Sequence, residues 1–186
     1  GLPDNAVKES KDRVSAAIKN SGFRFPPKKI TVNLAPADIK KEGSSFDLPI
    51  AVGILAATQS VSGASLNRYA ILGELSLDGS LRPVKGAISI ALASRENGLD
   101  GIILPKINGR EAAIVEDIKV YAFDNLIEVV AFLNGETEVQ PVTVDRDRIF
   151  DAASQYSFDF AEVKGQYHAK RALEIAAAGG HNILVL

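Results

Sequence analysis

The 186-residue sequence has no cysteine, no methionine and no tryptophan, and only two histidines. Without cysteine there are no disulfides, no thiolate metal ligands and no cysteine nucleophile. His168 and His181 stand thirteen residues apart, and zinc favours nitrogen and sulfur ligands, so no metal site is expected. The longest apolar run, Leu48 to Thr58, is far short of a membrane span. With no signal peptide visible either, no membrane partner and a cytoplasmic location are expected. The net charge of −2 excludes a global field that attracts nucleic acid or membrane. Basic pairs such as Lys28-Lys29 and Lys40-Lys41 read as solvated loop charges, so DNA binding by these residues is expected to be weak at most.

What is present suits an ordinary globular core: 46% hydrophobic and 24% charged residues. Asp4 reads as the N-cap of an amphipathic helix over 4–21, with Val7, Val14, Ala17 and Ile18 on one face and Gly22 as its stop. "KITVNL" (29–34) alternates Ile30, Val32 and Leu34, the pattern of a half-buried strand. Asp47 then reads as the cap of a helix over 48–58, apolar on nearly every face and expected to be the most buried element. "YAILGELSL", Asp78-Gly79 and "SLRPV" predict a hairpin, with both turn residues at positive φ. A helix follows over 87–97, with Ile88, Ala91 and Leu92 inward and Gly98 as its stop. "GIILP" reads as a buried strand, Asn108 with Glu111 as a capping box, "IKVYAF" as a further strand, and Asp124 as the cap of a helix ended by Gly135.

Three domain-level segments are expected: residues 1–135 as an α+β domain, 136–157 as a polar linker, and 158–186 as the start of a second domain. The last contains a helix over about 165–178 and the strand "NILVL", which cannot build a core alone. The absence of Met and the abrupt opening "GLPDNAVKES" suggest a piece of a longer protein.

The candidate chemistry lies in "KKEGSSFDLPIAVGILAA" (40–57). Ser44 and Ser45 precede the apolar helix, where free backbone N–H groups and the helix dipole favour negative charge. That arrangement suits an activated serine beside an oxyanion hole, and equally a simple cap. A serine nucleophile needs a base. Both histidines lie in the second segment, so the base would have to be a lysine.

These stretches, together with "GLPDNAVKES" and "GELSLDGSLRPVKGAISIA", resemble the ComM/YifB family of magnesium-chelatase-like AAA+ ATPases over essentially the whole chain. The resemblance implies an N-terminal region with the ribosomal protein S5 domain 2-like fold, similar to the Lon proteolytic domain, its first strands missing here. The tail "FDFAEVKGQYHAKRALEIAAAGGHNILVL" is similar to the opening of the ATPase module. For the complete protein it implies ATP and Mg2+, a ring formed through the ATPase domain, and DNA as partner in recombination during DNA uptake. Within these 186 residues no cofactor is expected, because the G-x-x-x-x-G-K-[ST] phosphate loop is absent. Val163 and Gly165 correspond to part of an adenine-side wall in the intact ATPase.

Lon proteases carry their serine in G-P-S-A-G, and here Gly43-Ser44-Ser45-Phe46-Asp47 takes that place, with Ser45 at the nucleophile position. Asp47 would repel a developing oxyanion. The Lon lysine falls in P-I-G-G-x-K. The matching stretch, Pro83-Val84-Lys85-Gly86-Ala87-Ile88, has Ile88 at the lysine position. The resemblance therefore implies a Lon-like domain without catalytic residues, in which Ser45 acts as a cap. The alternative is a Lon-type serine peptidase with a displaced lysine, Lys85 or Lys41.

Overall fold

A computed structural model describes residues 5–33, 44–145 and 160–184, with residues 5–9 as backbone only. The chain divides into two compact units, Gly1–Val144 and Asp145–Leu186. No described helix is long and apolar enough to cross a membrane.

The first unit is built on a three-stranded parallel sheet of β1 (Tyr69–Ile71), β4 (Gly101–Pro105) and β5 (Lys119–Phe123), in the order β1-β4-β5. Parallel neighbours need crossovers, and helices supply them. α3 (Ala87–Glu96) lies between β1 and β4, and α4 (Lys106–Ala112) between β4 and β5. β4 is central, and all five of its residues are buried, as a strand covered on both faces requires. Its side chains alternate between two cores. Ile103, with Tyr121 and Phe123 of β5, faces α1 (Asn5–Asn20), α2 (Asp47–Ala57) and α5 (Leu126–Leu133). Ile102 and Leu104, with Val120, face α3 and α4.

Several local expectations need correction. β4, not α2, is the most buried element. Leu48, Ala51, Val52 and Leu55 of α2 are buried, but Gly53 is exposed and Pro49 and Ile50 are half-buried. Residues 29–33 form no strand and are exposed. Ile88 and Leu92 point outward, each 37% exposed, while Ala87, Ala91 and Ser94 form the inner face of α3. Small residues there let the helix lie close on the sheet. Asp4 and the side chain of Val7 lie outside the described residues, but Val14, Ala17 and Ile18 are buried as the periodicity requires.

The "YAILGELSL" stretch is not one strand. β1 ends at Ile71, and β2 (Glu74–Leu75) pairs antiparallel with β3 (Leu81–Arg82) in a separate two-stranded sheet. Gly73 permits the break, because a Cβ there would lie 3.1 Å from Leu48 Cβ. In the hairpin turn only Gly79 has positive φ, at +87°. Asp78 instead accepts hydrogen bonds from Ser80 Oγ (2.7 Å) and Ser80 N (3.0 Å). These bonds hold its carboxyl below the ordinary range.

Two caps sit elsewhere than expected. Asn125, not Asp124, caps α5: its side chain accepts from Glu128 N, and Glu128 Oε2 accepts from Asp124 N at 2.9 Å, the residue before the cap. Asn108 is no cap, since α4 already begins at Lys106. Its buried amide clamps Val84, accepting from the backbone N and donating to the backbone O, both at 2.9 Å. After α5, Val139 and Val142 pack on the unit's two cores, and Val142 N donates to Val120 O.

The second unit contains a 3-10 turn (Phe160–Glu162) and α6 (Tyr167–Gly179), with no buried residue in either. Gly180, at φ +63°, ends α6, and residues 181–184 form no strand.

The clamp gives a direct test. Asn108→Ala strips Val84 of both backbone partners in a buried place, so a loss of about 1–3 kcal/mol is expected. Urea unfolding should show a lower midpoint with an unchanged slope.

Candidate functional site

α2 starts where the chain from Ser44 to Leu48 runs beside Gly73 to Leu75. Ser45 O accepts from Gly73 N, and Leu48 N donates to Gly73 O, both at 2.9 Å. Ser44 Oγ donates to Glu74 Oε2. Phe46, not Asp47, is the N-cap residue, and no side chain caps the helix. The expected cap role of Ser45 is therefore not met. Its half-buried hydroxyl bonds no first-turn N–H, and only its backbone carbonyl ties this segment to Gly73.

Asp47 is the centre of the arrangement, and it is fully buried. Oδ1 accepts from Ser10 Oγ at 2.5 Å and from Arg13 Nη2 at 3.2 Å. Oδ2 accepts from Arg13 Nε at 2.8 Å and from Leu75 N at 3.3 Å. A carboxylate has about four lone-pair sites, and four donors meet this one. Arg13 is itself only 25% exposed. A single side chain thus joins α1, α2 and β2. The guanidinium charge and the positive end of the helix both compensate the buried anion.

The N–H groups of the first turn of α2 from Asp47 onward are bonded. Asp47 N donates to Ser44 O at 3.1 Å, Leu48 N to Gly73 O, and Ile50 N to Phe46 O at 3.0 Å. Pro49 has no N–H at all.

The other residues singled out by sequence do not join Ser45. Ile88 sits in the first turn of α3, 37% exposed. Lys85 is exposed, and among the described residues no lysine hydrogen-bonds Ser45. Lys41 lies outside the described residues, as does Gly43. Val163 is 42% exposed and Gly165, at φ +70°, is half-buried; both precede α6 in the second unit. Among the described residues no cluster of three or more His, Asp or Glu could hold a metal.

Sequence reasoning missed the Ser10–Arg13–Asp47 connection. The available signal was the 3.6-residue stripe of α1: Ser10 continues the line of Val14, Ala17 and Ile18, and Arg13 lies one turn from it. A serine on an otherwise apolar stripe calls for a buried polar partner.

The family profile described as subunit ChlI of Mg-chelatase matches residues 1–108, and a second, described as magnesium chelatase, subunit ChlI, matches residues 159–186. The chain belongs to this magnesium-chelatase ChlI family. Over its whole length it is 44% identical to competence protein ComM of Haemophilus influenzae and 45% identical to YifB of Escherichia coli, spanning 36% of each relative's length. Lon protease 2 of Bacillus subtilis is 27% identical over 144 residues, 75% of this chain and 25% of the protease.

Breaking the Asp47 arrangement should be costly. Asp47→Ala leaves Arg13, Ser10 Oγ and Leu75 N without their acceptor, and about 3–5 kcal/mol of stability should be lost. Ser45→Ala should change stability by less than about 0.5 kcal/mol. Thermal and urea unfolding of the two variants would check this; equal effects would mean that the load is carried elsewhere.

Proposed function

We propose that residues 1–135 form a Lon-like domain, of the S5 domain 2-like fold, that has no peptidase chemistry and serves the AAA+ motor of which residues 158–186 are the beginning. The observation that carries this reading is the closed start of α2. In a serine peptidase that turn would offer free N–H groups to a developing oxyanion. Here the N–H groups of Asp47, Leu48 and Ile50 are bonded, Pro49 has none, and the first residue of the helix is the buried carboxylate Asp47. A negative charge forming on a substrate carbonyl beside Ser45 would have a built-in carboxylate two residues along the chain to repel it. With Ile88 at the Lon lysine position and Lys85 exposed, the Ser45 hydroxyl also lacks a base among the described residues.

The motor part of the proposal rests on family membership. The name of the Haemophilus influenzae relative speaks of competence, and by that likeness we place the complete protein in DNA processing and recombination during DNA uptake. It would work in the cytoplasm as a ring assembled through the ATPase domain. ATP with Mg2+ would be its cofactor, but the 186 residues contain no phosphate loop. Val163 and Gly165 could contribute only to an adenine side, and no catalytic step is derived from them.

The peptidase reading, with Lys85 or Lys41 as base, predicts the opposite outcome in a simple assay. Casein and fluorogenic peptides should remain intact at high enzyme concentration, and Ser45→Ala should behave as the unaltered chain does. Digestion that disappears in Ser45→Ala would overturn the proposal. In the complete protein, ATP hydrolysis should be stimulated by nucleic acid. Deleting residues 1–135 should alter that stimulation without abolishing basal hydrolysis.

A further inference from the structure

Residues 136–144 follow α5 and belong to the first unit, and the second unit begins at Asp145. Val139 packs on the core that faces α1, α2 and α5, and Val142 on the core that faces α3 and α4. Those cores lie on opposite faces of the sheet, and β5 is an edge strand. Between Val139 and Val142 the chain therefore passes around the β5 edge, from one face to the other.

Three elements build the seat of this strap. Val142 N donates to Val120 O at 2.8 Å, which fixes the strap along β5. The Val142 side chain fills a notch that Gly109 leaves in α4. A Cβ at Gly109 would lie 3.3 Å from Val142 Cγ2 and 2.9 Å from Ala122 Cβ. Glycine inside a helix is destabilising, and the close approach of the strap and β5 accounts for one here.

The attachment is slight beside the rest of the unit. Among the described residues, the Val142–Val120 bond is the one hydrogen bond that joins residues 137–144 to other parts of the chain. Val139, Pro141, Val142 and Val144 are half-buried, and Thr137, Glu138, Gln140 and Thr143 are exposed. β4, by contrast, is buried throughout and pairs with β5 over its whole length. Segments with few buried contacts and little hydrogen bonding open at a fraction of the global unfolding free energy.

We propose that residues 136–144 are a detachable strap that sets the length of the connection to the second unit. Docked, the strap keeps the chain on the first unit as far as Val144. Released from the β5 edge, it frees the chain from Gly135 onward and adds about 30 Å of extended polypeptide to the connection. Val142 stands three residues before Asp145, so tension at the boundary reaches its seat before it reaches the sheet. The proposal rests on the division into two units and is independent of the motor reading and of Ser45.

Amide hydrogen exchange in the 186-residue chain and in the complete gene product tests it. The Val142 amide should be protected about tenfold or more over its unstructured rate, yet exchange about a hundredfold faster than the β4 amides. Low urea should speed β4 exchange and leave Val142 exchange nearly constant, because opening the strap exposes little surface. Val142→Asp, which sets a carboxylate against Gly109 and Ala122, should abolish the protection at position 142. β4 exchange should then rise by no more than the protection lost there, since the released state remains folded. Thr143→Asp adds the same charge at an exposed position and should change neither. The chain has no cysteine, so labels at Ser89→Cys and Ala178→Cys, both exposed positions, report on the connection by time-resolved energy transfer. Val142→Asp should broaden that distance distribution. Exchange of Val142 at the β4 rate, with the same urea response, would mean that the strap opens only with the whole unit. Exchange at the unstructured rate would mean that it is never docked. Either result overturns the proposal. So does an unchanged distance distribution in Val142→Asp, or a rise in β4 exchange larger than the protection lost.

Discussion

The buried Asp47–Arg13 pair is the constraint on which the first unit depends. An ionised carboxylate with no solvent exposure is strongly destabilising unless charge and hydrogen bonds surround it. Here they come from three directions: Arg13 and Ser10 of α1, the backbone of Leu75 in β2, and the amino end of α2 itself. The side-chain and backbone donors are all distant in sequence from Asp47; Ser10 is 37 residues away and Leu75 is 28. The pair therefore fixes the register of two helices and a hairpin at once, a specificity that apolar packing alone does not impose. Leu48, one residue on, then fills the space beside Gly73, where a Cβ would already be in tight contact.

That same constraint decides the chemistry available near Ser45. A helix amino end can be used to stabilise an anion supplied by a ligand, or one supplied by the chain. In this unit the chain supplies it permanently. The likeness to Lon protease 2 extends over three quarters of the chain at 27% identity, and a shared fold does not fix a shared chemistry. The serine is half-buried at the turn, and its backbone carbonyl accepts from Gly73 N. Ser44 joins the same structure through Glu74.

How much of this was legible from residues alone depended on the range of the interaction. The buried strand "GIILP", the start of α3 at Ala87, the Gly79 turn and the Gly135 stop were readable because each rests on neighbours within a few positions. Element edges were less so. Asp124 and Asn125 are both good caps, and only Glu128, which bonds Asn125 and Asp124 N together, selects the second. The inward placement of Ile88 and Leu92 failed because hydrophobicity was used where size decides: Ala87, Ala91 and Ser94 allow the close approach to the sheet. Asp47 was misread as a cap because its four donors come from elsewhere in the chain, and local pattern carries no information about a partner 34 residues away.

α2 shows the limit of composition in another way. Its sequence is apolar all round, which implied complete burial. In the unit its inner face is anchored by Asp47 and packed on α1 and the sheet, while its outer face borders a groove. An all-apolar helix states only that both faces disfavour water; it does not say which neighbour provides the cover. The net charge misleads similarly. A value of −2 for the whole chain describes no surface in particular, because every charged residue between Asp12 and Asp38 is basic. Among the described residues they fall in different places: Arg13 pairs with buried Asp47, Lys19 lies over the Phe25 ring, and Arg24 and Lys28 line the groove beside α2. Where each charge falls, buried against a carboxylate or beside an apolar helix face, is a property of the fold and not of the total.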